Sequence, residues 1–199
     1  MGLDFECLAV PLDADPVRAI RASPELWAMA DDQPPFSGPW PDEELPDITR
    51  RLLAVLPEGT SRNLDFFGSR NHEQAEYLLD PVASRTTQTW EQRRHLPTYQ
   101  AVFGAELFAE HAASGQGIRW RCSTPDQLAA AVQLIDALDV AAVRREFSLA
   151  EMVRLGVYKV HPEEDEQDYF TRNLQDLRTW ADHCRHVATQ NLGLMITLF

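Results

Sequence analysis

The sequence predicts an α/β (or α+β) fold: a central mixed sheet that includes the N-terminal and C-terminal strands, packed by helices, with a long C-terminal helix. Three stretches predict it. Leu192–Phe199 (LGLMITLF) carries no charge and does not alternate, so both of its faces should be covered, as in a central strand. Residues 2–10 alternate: Leu3, Phe5, Cys7 and Ala9 share one face, and Asp4 and Glu6 begin the other before Leu8 and Val10. Residues 163–190 carry Phe170, Leu174, Leu177, Ala181, Cys184 and Ala188 at helical spacing, widened by Trp180 and Val187.

The remaining elements follow in order. Asp13 or Asp15 is placed to cap a helix with Pro16 in its first turn, and Ser23-Pro24 should break and restart it. Residues 31–47 hold Pro34, Pro35, Pro39, Pro41 and Pro46, which exclude regular structure. Their spacing is not P-x-x-P, so an SH3-type ligand is not indicated. Phe36 and Trp40 would anchor this loop by burying their rings, or serve as its partner-binding residues. A short amphipathic helix follows from Asp47 to Leu56, then a strand at 64–68 and a helix at His72–Leu79 stopped by Asp80-Pro81. Residues 82–97 are polar, lack a period and receive no assignment.

From Tyr99 the pattern suggests a helix to about Ala113, ended by Gly115 and Gly117, with a strand candidate at 117–122. Thr124-Pro125-Asp126-Gln127 combines Pro at the first helical position with capping-box spacing. Leu128, Ala131, Val132, Ile135 and Leu138 form that helix's apolar set. Further helices cover Val140–Phe147 and a second capping box at Ser148–Glu151, closing at Gly156. Acids crowd the start of the last helix, where the helix dipole offsets part of their repulsion. There is no internal repeat, so residues 1–199 read as one domain with an irregular loop at about 31–47.

Composition narrows the function classes. Thirty-one acidic against 18 basic residues give a net charge of −13, which repels nucleic-acid phosphates and favours a basic protein partner. No apolar run is long enough for a membrane span, and the N-terminus has acids where a signal peptide needs bases. Cys7, Cys122 and Cys184 are odd in number and far apart, as expected of reduced thiols in a cytoplasm. No cofactor or metal is indicated.

Four groups of side chains could carry chemistry. Cys122 would sit at a strand end beside a helix N-terminus, where a thiol is activated if His95 or His111 comes near as base; with Trp120 on the same face, it fits core packing equally well. Arg119 and Arg121 alternate with Trp120 and could hold an anionic ligand on one sheet face, or pair with the plentiful acids. His183 and His186 share a helix face at metal-binding spacing, but a solvated face explains them. Glu73, Glu76 and Asp80 form a carboxylate series that a polar helix face accounts for.

The segments Ile135–Asp139, Arg144–Ser148, Met152–Tyr158 and the long helix entering Gly193-Leu-Met-Ile-Thr-Leu resemble the YfbM-like family of small bacterial proteins, as does the Met1-Gly2-Leu-Asp-Phe-Glu opening. The resemblance spans about residues 1–25 and 118–199. It implies helices around a central sheet and carries no active-site residues. Three functions stay open: an acidic, non-catalytic interaction or accessory protein, such as a toxin-neutralising factor; an enzyme or small-molecule binder with a pocket near Trp120–Cys122; and a subunit of a larger assembly.

Overall fold

The computed structural model describes residues 4–37, 44–58, 60, 63–64, 67, 71–81, 90–115 and 117–198. The uncharged C-terminal stretch is strand β5 (Gly193–Leu198), and it is central. On one edge it pairs with β1 (Phe5–Val10), in register from Phe5↔Leu198 to Val10↔Gly193. On the other it pairs with β4 (Arg121–Ser123) through Arg121↔Ile196, Cys122↔Met195 and Ser123↔Leu194. β2 (Asn63–Leu64) and β3 (Glu106–Leu107) complete the order β2-β1-β5-β4-β3. Every pairing is antiparallel, where a mixed sheet was expected. Burial on both faces is legible in a sequence; the direction of a neighbouring strand is not.

Alternation in β1 and β5 divides the interior in two. Phe5, Cys7, Leu194 and Ile196 face the larger core. It is built by α4 (His72–Leu79), α6 (Pro97–Phe103), α7 (Pro125–Asp136), α8 (Val140–Glu146), α9 (Leu149–Leu155) and α10 (Glu166–Thr189). Leu8, Val10, Met195 and Cys122 face a second core, built by α1 (Asp15–Ala22), α2 (Pro24–Ala30) and α3 (Asp47–Leu53) with Trp27, Phe36, Phe108 and Trp120. Helices thus cover both sheet faces. Trp180 of α10 is fully buried and donates its indole N–H to the Ala101 carbonyl at 2.8 Å, so its one polar atom is satisfied.

Local signals set most boundaries. The Thr124 hydroxyl accepts from the Gln127 amide at 3.4 Å while the Gln127 side chain accepts from the Thr124 amide at 2.8 Å, the full capping box. Ser23 caps α2, Ser148 caps α9 and Asp165 caps α10, whose first residue is Glu166. Gly156 closes α9 at φ +69°. α1 departs from expectation: Ala14 is its N-cap and no side chain caps it. The helix expected to run to Ala113 stops at Phe103. Gly104 turns the chain at φ +94°, and a β-carbon there would lie 3.1 Å from the Arg121 β-carbon and 3.2 Å from the Cys122 nitrogen. The chain then enters β3. Within the unassigned 82–97 stretch, Trp90–Arg93 forms the short helix α5 and Pro97 opens α6; residues 82–89 lie outside the described residues.

Gly193 marks the closest approach in the sheet. A β-carbon there would fall 2.2 Å from Leu12 Cδ1 and 2.8 Å from the Ser123 carbonyl oxygen. The leucine tip can swing away; the carbonyl moves only with the β4–β5 ladder. Gly193→Ala is expected to lower stability by about 1–3 kcal/mol, read from urea-denaturation midpoints.

Candidate functional site

A group of interacting ionisable side chains surrounds α4. That helix is buried nearly all round, polar residues included: His72, Gln74 and Glu76 are at most 2% exposed. The polar-face reading of Glu73 and Glu76 therefore fails, because α4 lies under α6, α10 and the 157–161 loop instead of at the surface. Two of its polar side chains hold the 157–161 loop. Glu73 accepts the Tyr158 amide at 2.9 Å, and Gln74 donates to the Tyr158 and Lys159 carbonyls, each at 3.0 Å. Those two bonds hold Lys159 at φ +57°. Asp80 is half-buried.

Glu76 forms an ion pair with Arg93 of α5, which bonds it through both Nε and Nη2. Burial raises the Glu76 carboxyl above its ordinary value, and Arg93 opposes that rise. Tyr99 of α6 lies in the same field, its phenol pushed up to about 12, chiefly by burial. Over its ring, 5.4 Å from the centroid, stands the guanidinium of Arg121. Arg121 is 6% exposed and donates from Nε to the Gly104 carbonyl at 3.0 Å and from Nη2 to the Ala105 carbonyl at 3.1 Å. These carbonyls follow the C-terminus of α6, where a cation is favoured.

Beside this group a cleft of about 420 Å³ separates α6 from α7, lined by Gln100, Ala101, Ala105, Gln127, Ala130 and Leu134. A second of about 420 Å³ runs between α7 and the end of α10, past Ala129, Gln133, Arg185 and Asn191.

The residues singled out in the sequence disperse. Cys122 is fully buried, and burial pushes its thiol up to about 12. His111 bonds the Ile20 carbonyl at 3.1 Å, and His95 is exposed. The Cys122 thiol lies 4.0 Å from a Glu106 carboxylate oxygen. Trp120 is 2% exposed, against Phe36 at 5.6 Å and Trp27 at 6.4 Å between ring centroids. The space expected to hold a ligand there is filled by side chains. Arg119 reaches Glu110 at 2.7 Å on the surface, so it does not join Arg121. Phe36 is buried and anchors its loop; Trp40 lies outside the described residues.

The two histidines of α10 also part. His186 is exposed and meets Gln190 at 3.0 Å. His183, expected on a solvated face, is half-buried: it stacks on Trp180 at 5.9 Å and lies 3.9 Å from the Cys7 sulfur. Burial, then His186, lowers its pKa. Among the described residues no three His, Cys, Asp or Glu side chains are disposed to hold a metal ion, and no helix is long and apolar enough to cross a membrane. Sequence reasoning missed the Glu76–Arg93–Tyr99–Arg121 group. Its one local signal was the polarity of a helix that also carries Tyr77-Leu78-Leu79.

Two measurements follow. Cys122 should resist a thiol reagent in the native protein and react on unfolding, read by mass spectrometry of the labelled peptide. Glu76's folded value lies above its ordinary 4.5, so the native state binds that proton more tightly. Its contribution is therefore present below the ordinary value and lost as pH rises through the folded one. Glu76→Gln should flatten the decline in stability as pH rises above the ordinary carboxylate value, read from urea denaturation at each pH.

Residues 70–197 match a family described as a domain of unknown function (DUF1877). No curated protein matches the chain. Among solved structures it is similar to the crystal structure of YfbM from Escherichia coli, a protein of unknown function, with a TM-score of 0.62 at 13% identity over 98% of this chain and 99% of that one. That likeness extends the shared fold over β1 and α1–α3, which precede the family match. The chain belongs to this family of domains of unknown function.

Proposed function

We propose that this chain is a non-catalytic binding domain for a basic protein. The pairing of its cations supports the reading. Among the described residues nine arginines form ion pairs with the chain's own carboxylates, and Arg50 and Arg185 each meet two. With 31 acidic and 18 basic residues, this pairing ties up much of the positive charge and leaves a surplus of carboxylates. Such a field steers a cationic partner and repels an anionic one. Contact area is available where the second core's helices meet solvent: Met29 of α2 is 48% exposed and Val55, just after α3, is 37% exposed. Asp31, Asp32, Asp47 and Glu58 belong to the same segments.

The reading of an enzyme or small-molecule binder with a pocket at Trp120–Cys122 is less well supported, because opening that space would displace Phe36 and Trp27 from the core. A cationic toxin is one partner that this surface would suit. The test is affinity capture from the source cell's lysate at about 0.05 M and about 0.5 M salt. A basic protein should be retained at low salt and released at high salt, and its toxicity on expression should be relieved by this chain. Capture of nothing, or of partners indifferent to salt, defeats the proposal. Met29→Ser with Val55→Ser should weaken the captured complex about tenfold without unfolding the domain.

A further inference from the structure

We propose that the cleft between α7 and the C-terminal end of α10 binds a small organic cation, a protonated amine carried on a short aliphatic body. This goes beyond the protein-binding reading and does not depend on it.

The charge around this cleft is one-sided. Asp126, in the first turn of α7, lines it, and among the described residues no cation pairs with that carboxylate. Arg185 lines it too, but its guanidinium is already committed: Nη2 donates to both Asp136 oxygens, at 3.1 and 2.8 Å, and Nη1 donates to Asp182. Asp126, Asp136 and Asp182 thus stand against a single cation. The other wall is the last turn of the 24-residue α10, which ends at Thr189. The carbonyl end of a helix carries partial negative charge and favours a cation, commonly a Lys or Arg of its own. α10 has neither in that turn; its basic residue there is His186, which meets Gln190. A ligand ammonium between Asp126 and this helix end would supply the positive charge that the helix lacks.

The rest of the lining fits the same ligand. The volume of about 420 Å³ suits a small molecule. Gln133, Thr189 and Asn191 bring amide and hydroxyl oxygens that can accept the remaining ammonium hydrogens. Asn191 holds φ +57° in the turn that leads from α10 into β5. Ala129, Val132 and Ala188 line the cleft as well and offer apolar surface to the ligand's hydrocarbon. A bare metal ion gains less here, because among the described residues no three His, Cys, Asp or Glu side chains are disposed to hold one.

The experiment is a titration of the isotope-labelled full chain with butylamine and, separately, with ammonium chloride, magnesium chloride and lysine capped at both backbone ends. Ionic strength is held constant. The backbone amides of Gln133, Thr189 and Asn191 are followed by NMR. Saturable shifts are expected with butylamine, and linear drift with the two inorganic cations, which make no use of the apolar surface. Asp126→Asn should weaken butylamine binding about tenfold, while Glu163→Gln, just before the opposite end of α10, leaves it unchanged. Thr189→Lys puts an ammonium of the chain's own at an exposed position in the last turn, where the helix dipole favours it. It should keep the fold and weaken binding about tenfold by occupying the cleft. Linear drift with butylamine, saturation by either inorganic cation, equal loss in Glu163→Gln, or unchanged affinity in Asp126→Asn or Thr189→Lys would overturn the proposal. Tighter binding of capped lysine than of butylamine would also overturn it, by assigning the cleft to a protein side chain.

Discussion

The structure depends on a strand that is hydrogen-bonded along both edges and covered on both faces. β5 joins β1 to β4, so without it the sheet would separate into two short ribbons. Two- and three-residue strands such as β2, β3 and β4 have little stability of their own. Leu194 and Ile196 serve one core while Met195 serves the other, so β5 also couples the two helix layers. Full burial of such side chains contributes about 1.5–3 kcal/mol each.

The second constraint is electrostatic. A helix as deeply placed as α4 would ordinarily be apolar all round. Here Glu73, Gln74 and Glu76 are each matched to a partner on another segment, and these bonds lock the 157–161 loop and α5 against the core. A buried pair such as Glu76–Arg93 is weak as a source of net stability but strict about geometry, since losing one partner strands the other. It gives the fold register where packing alone would allow sliding.

How much of this a sequence discloses depends on the range of the interaction. The capping box at Thr124, the Ser23-Pro24 restart and the αL turn at Gly156 are local, and all were legible. The charge-free run of β5 was legible as a two-sided strand because burial leaves its mark on every residue. The course of the chain past Phe103 was not, because Gly104 turns for the sake of Arg121 and Cys122, far along the chain. Glu76 read as a solvent-facing acid for the same reason: its partner Arg93 belongs to a stretch without periodicity. Of the Arg119–Trp120–Arg121 trio, alternation separated the faces correctly, but whether each arginine met an acid or a carbonyl was a tertiary matter.

The spacing of the paired strands has a kinetic meaning as well. β1 is made well before β5, and the partner along its longest ladder emerges roughly 190 residues later. Until then its inner edge is an open template in a crowded cell, exposed to any passing strand. The early helices α1–α3 can fold against one side of β1 and shield its apolar groups, but they offer its backbone no ladder. A nascent chain of this design should therefore lean on chaperones late in translation, and slowing elongation before residue 193 should lengthen its exposure to misassembly.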